Sequence, residues 1–156
     1  MTGVVRRRAA ALLAAVVVAA GLVAAEARPA FAAACAPGTG VTVVVDFGPL
    51  GGGVTVGCHT GDPATGLAAL TGAGFTVTGT QRWGLAFVCR IDGKPTPAQD
   101  PCVNTPPATA YWSYWHASPG GAWTYSTVGA GAYNPAVGSV EGWRFGSGQA
   151  PSIPAP

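Results

Sequence analysis

The pattern of hydrophobic and polar positions is sharpest between Thr109 and Thr127, TAYWSYWHASPGGAWTYST, where both arms alternate with period two. Such alternation reads as paired strands. Ser118-Pro119-Gly120-Gly121 between the arms is a turn cluster, so the unit is a β-hairpin with a loop of about five residues. That loop predicts Trp115 opposite Trp123 and Ser113 opposite Tyr125. Tyr111, Trp115, Trp123 and Tyr125 then share one face, and Trp112, Tyr114, His116, Thr124 and Ser126 share the other. A half-buried sheet needs only one apolar face. With both faces aromatic, either both are packed, one under a helix and one under a loop, or one is a recognition surface.

The remaining chain supplies the rest of a small sheet. Val41 to Phe47, VTVVVDF, is a β-branched strand, and Val54 to Cys58 returns beside it after the turn Gly48 to Gly53. Asp62 reads as an N-cap with Pro63 at the first helical position. Thr65 to Thr71 reads as a short helix, with Leu67 and Leu70 on one face and Gly72 and Gly74 ending it. Phe75 to Thr78 and Trp83 to Ile91 read as further strands, and Asp92-Gly93 as a tight turn. Lys94 to Pro107 is a proline-rich loop, Gly129 to Gly138 is another, and Ser139 to Phe145 is a closing strand. This order predicts a single α+β domain. It is β-grasp-like and β-rich, a mixed sheet with one short helix packed across it.

The N-terminus has a separate logic. Arg6, Arg7 and Arg8 precede an uncharged apolar run from Ala9 to Ala25, and Ala30-Phe31-Ala32 is an A-x-A cleavage site. Residues 1–32 are therefore expected to be a secretory signal peptide, which makes the protein secreted and extracellular. The apolar run is mostly alanine and marginal for spanning a bilayer. Ala32-Ala33-Ala34-Cys35 lacks the Leu of a lipoprotein box, so lipid anchoring at Cys35 is not expected. The domain is expected over residues 33–146, with 147–156, a Gly/Pro/Ser-rich stretch, as a flexible tail.

Export also changes the charge argument. Half of the basic residues lie in the signal segment; the remainder carries Arg82, Arg90, Lys94 and Arg144 against five acids, a net charge of −1. Without a basic patch, nucleic acid is not an expected partner. Four cysteines in an oxidising compartment imply two disulfides. The favoured pairing is Cys35 with Cys58, whose strand should lie beside the segment after Cys35, and Cys89 with Cys102, which bracket the proline-rich loop. A zinc site is the weaker alternative, because paired C-x-x-C spacing is missing.

Several segments in their order carry a resemblance. These are Val41 to Val45, the helix Thr65 to Leu70, Phe75 after a Gly, Cys89-Arg90-Ile91-Asp92-Gly93, Tyr111-Trp112, and Gly138 to Phe145, GSVEGWRF. Over about residues 41–146 the chain resembles the C-terminal domain of transcobalamin and intrinsic factor, and its bacterial secreted relatives. Ser139 stands where that family has Asp, Phe145 where it has Tyr, and Pro119-Gly120-Gly121 where it has an Asn-Gly turn. The resemblance implies a β-grasp-like fold and an extracellular module for ligand binding or uptake, with cobalamin as a possible ligand. In the animal proteins the domain caps cobalamin against a helical domain that has no counterpart in this sequence.

The catalytic inventory is thin. The sequence has no G-x-S-x-G elbow and no H-E-x-x-H. Ser113 and His116 fall on opposite faces of one strand, and Glu141 has no evident partner and is expected to be solvated. No enzyme is expected and no cofactor. His59 and His116 are read as exposed and non-ligating toward metals. Aromatic rings remain as the candidates for a flat or amphipathic small-molecule ligand. Trp112, Tyr114 and His116 come first, then Trp83 and Trp143, with Arg144 and Arg90 as rim donors. The ligand module would hand its cargo to a membrane transporter. The alternatives are a cell-wall glycan or protein-interaction module using the aromatic hairpin, and an inhibitor presenting Lys94 on the Cys89–Cys102 loop.

Overall fold

A computed structural model describes residues 34–156. The segment read as a signal peptide lies outside the described residues. The strands are β1 (Gly40–Asp46), β2 (Val54–Thr60), β3 (Val77–Thr80), β4 (Gly84–Ile91), β5 (Tyr111–Ala117), β6 (Thr124–Tyr125) and β7 (Val140–Gly146). The helix α1 spans Gly66–Gly72.

Five strands form a mixed sheet in the order β2-β1-β7-β5-β6, and β3 and β4 form a separate antiparallel pair. The first and last strands, β1 and β7, run parallel at the centre, with Val43 beside Glu141 and Val45 beside Trp143. Every other pairing in the sheet is antiparallel. A first hairpin, a helix crossing the sheet and a last strand parallel to the first make the domain β-grasp-like, an α+β fold with a mixed sheet and one short helix.

Strand β1 is buried at every position, as expected for a Val-rich central strand covered on both faces. Val41, Val43 and Val45 face the main core with Leu70, Trp112, Trp143 and Phe145. Val44 faces the other side with Val56, Val140 and Ala155. Thr65, not Asp62, caps the helix: its Oγ accepts from the Ala68 amide at 3.1 Å. Gly66 permits the helix to start directly against the sheet, since a Cβ there would lie 1.9 Å from the Tyr114 hydroxyl oxygen.

Both disulfides join the favoured pairs, Cys35 with Cys58 and Cys89 with Cys102. Two such bridges are consistent with an extracellular protein. Arg90 pins the Cys89–Cys102 loop by donating to the carbonyls of Pro95 and Asp100.

Two further expectations are corrected. The aromatic hairpin pairs Trp115 with Tyr125 and His116 with Thr124, two residues away from the predicted register. The connection is longer because Trp123 leaves the strand, packs on Gly142 and donates to the Ile153 carbonyl at 2.8 Å. A shift of two preserves the side-chain parity of β5, so the face assignments along that strand stand. Residues 147–156 are not a loose tail. Ser152 donates its amide to Asp46 at 2.7 Å, Arg144 donates to the Ala150 carbonyl at 2.7 Å, and Gly120 donates to the Ala155 carbonyl at 2.9 Å. This segment supplies the second cover of the sheet, the role that keeps Val44 and Val140 dry.

Candidate functional site

The face of β5 carrying Trp112, Tyr114 and His116 turns inward. Trp112 and Tyr114 are 4% and 7% exposed, and Trp143 on the neighbouring strand is 3% exposed. Trp112 meets Phe47 and Phe145 edge-on, each 5.5 Å away, and donates its indole N–H to the Lys94 carbonyl. Tyr114 lies tilted against Trp143 at 4.7 Å. These three residues are thus core residues and not an open aromatic surface.

They nevertheless form the floor of a cleft of about 430 Å³. One wall is β4 from Leu85 to Val88, and the other is the stretch from Tyr125 to Ala130. Leu85, Tyr125 and Val128 at its mouth are each about half exposed. Tyr111 closes one end, its hydroxyl 3.2 Å from that of Tyr125. The Nε1–H of Trp143 is buried and has no acceptor among the described residues.

The other predicted residues lie elsewhere. Trp83 is 51% exposed on the turn before β4, where its N–H donates to Thr105 and Arg82 lies over its ring. It does not line the cleft. Arg144 is not a rim donor; it is consumed by Asp46 at 3.4 Å and by the C-terminal segment. Lys94 is not free to protrude from its loop, because its ammonium donates to the Gly51 carbonyl and sits over Phe47.

His116 and Glu141 depart furthest from the sequence expectation. They are direct neighbours across β5 and β7. Glu141, expected in solvent, is 0% exposed. Tyr114 donates its hydroxyl to Glu141 Oε2, and His116 Nδ1 lies 3.2 Å from the same oxygen. The imidazole stacks on Tyr133 from the loop between β6 and β7, ring centres 3.7 Å apart. Burial pushes the Glu141 carboxyl up to about 7. Burial pushes His116 below its ordinary value. Burial and the neighbouring Glu141 charge raise the Tyr114 phenol. The three groups are a hydrogen-bonded set in which desolvation disfavours the charged form of both Glu141 and His116.

His116 opens onto a second, shallower cleft of about 440 Å³, lined also by Ser118, Thr124, Tyr133 and Ser139. Sequence reading missed Glu141 because nothing nearby in the chain pairs with it. Its one signal is parity: in VEGWRF the acid shares a face with Trp143 and Phe145.

A family model described as an SCO2322-like domain matches residues 105–154, from the loop before β5 through most of the C-terminal segment. No curated protein and no solved structure matches the chain.

Proposed function

We propose that this chain is an exported, non-enzymatic module that binds a small, flat, largely apolar ligand in the cleft between β4 and β5. The observation that carries this reading is the cleft itself. Leu85, Tyr125 and Val128, each about half exposed at its mouth, offer apolar and aromatic surface over a base of Trp112, Tyr114 and Trp143. Apolar walls with a few polar anchors are what small-ligand sites share. The resemblance of the sequence to the C-terminal domain of transcobalamin and intrinsic factor makes a corrinoid the first ligand to test. Delivery to a membrane transporter is the role that an exported carrier of this kind would serve.

The test is calorimetric titration of the exported, oxidised protein with cyanocobalamin and with cobinamide. Val128→Trp is the control variant, because Val128 lines the mouth while staying outside the core. Saturable binding that this variant loses with its fold intact supports the reading. Absence of heat with both ligands removes the corrinoid assignment. Binding that Val128→Trp leaves unchanged removes the cleft.

A further inference from the structure

The second cleft has its own chemistry. Its lining includes the His116 imidazole and the hydroxyl-bearing residues Ser118, Thr124, Ser139 and Tyr133. Among the described residues no Lys or Arg lines it. The carboxylate in contact with His116, Glu141, is fully buried behind it. An anionic ligand would therefore meet no counter-charge and would approach a group that carries negative charge when ionised. With no cation in this lining and a buried acid behind His116, a neutral ligand is favoured over a strongly charged one.

The hydrogen-bonding pattern narrows the class further. His116 Nδ1 is committed to Glu141, which fixes the ring and leaves Nε2 as the nitrogen available to a ligand. A hydroxyl group both donates and accepts, so a polyhydroxylated molecule matches an imidazole nitrogen and several hydroxyls at once. An amphipathic aromatic wall such as Tyr133 suits the apolar face of a sugar ring. We propose that the cleft over His116 is a second binding site, distinct from the aromatic cleft, for a small neutral polyol of the sugar class.

The experiment follows the ring protons of His116 by NMR in the full exported protein while glucose, N-acetylglucosamine and their short oligomers are added. His59, the other histidine, packs against Gly72 and serves as the internal reference. The expected result is a saturable shift at His116 and Tyr133 with none at His59. Thr124→Ala should weaken that binding about tenfold by removing one hydrogen-bonding partner. Ser118→Ala provides a second variant should Thr124→Ala fail to fold. No shift with any saccharide up to about 100 mM, where even the weakest specific sites saturate, overturns the proposal. Equal shifts at both histidines, or affinities unchanged in both variants, overturn it as well.

Discussion

The imidazole of His116 lies between the buried carboxylate of Glu141, 3.2 Å from its Nδ1, and the ring of Tyr133, stacked on it at 3.7 Å. One residue of β5 thus ties the centre of the sheet to the loop that covers it. Titration of this set should be readable in the stability of the protein.

The Glu141 carboxyl has an ordinary value of 4.5 and a folded value of about 7. Between those limits the native state holds a proton that the unfolded chain has lost, so this group's contribution falls as pH rises toward 7. His116 works in the opposite sense: its folded value is lowered, so its contribution is lost as pH falls below its ordinary 6.5. Glu141→Gln mimics the protonated acid and keeps a hydrogen-bonding partner for both neighbours. The difference in unfolding free energy between the native protein and this variant should change by up to roughly 3 kcal/mol across that interval. Urea denaturation at several pH values measures it, and a parallel pair of curves would contradict the assignment.

Tyr133 covers His116 from a loop, and burial is what depresses the imidazole. Tyr133→Ala should let water reach the ring and move its titration back up toward the ordinary value. The lost stacking and burial should cost about 1–3 kcal/mol. An NMR titration of His116 in the variant checks the first expectation, and thermal denaturation the second.

The C-terminal segment is a structural part of the domain. Burial alone would raise the Asp46 carboxyl, yet hydrogen bonds from Ser152 and Gly48 and the charge of Arg144 hold it below its ordinary value. Ending the chain at Gly146 removes the Ser152 and Ile153 contacts and uncovers Val44, Val140 and Trp123. The shortened protein should lose on the order of 2–4 kcal/mol of stability. Its tryptophan emission should shift to longer wavelength. Unchanged stability would return this segment to the status of a linker.

Replacing Cys89 and Cys102 together by Ser opens a loop closed by 13 residues of separation. The loss should be about 3 kcal/mol in the chain-entropy model. Because Arg90 and the loop carbonyls remain to hold that segment, the fold should survive. Denaturation of the double variant against the oxidised protein provides the measurement, and a loss near zero would show the hydrogen bonds sufficient alone.

Much of the fold was legible in the sequence. Local rules acted alone there: β-branched runs made β1 and β2, alternation made β5, and Asp92-Gly93 made a tight turn with positive φ at both residues. Cysteine spacing and strand adjacency gave both disulfides. The face shared by Trp112, Tyr114 and His116 also followed from parity, which no tertiary contact can alter.

The sequence by itself therefore determined the elements, their order and which side chains share a face. Tertiary structure decided which face is buried, and it closed the C-terminal segment over the other. It also joined Glu141 to His116 and Tyr114 across strands 25 and 27 residues apart in sequence. The physical reason is range. Strand and turn propensities depend on neighbours in the chain. The environment of an acid depends on what the sheet brings beside it, and Glu141 stands 25 residues from His116, beyond the reach of any local pattern.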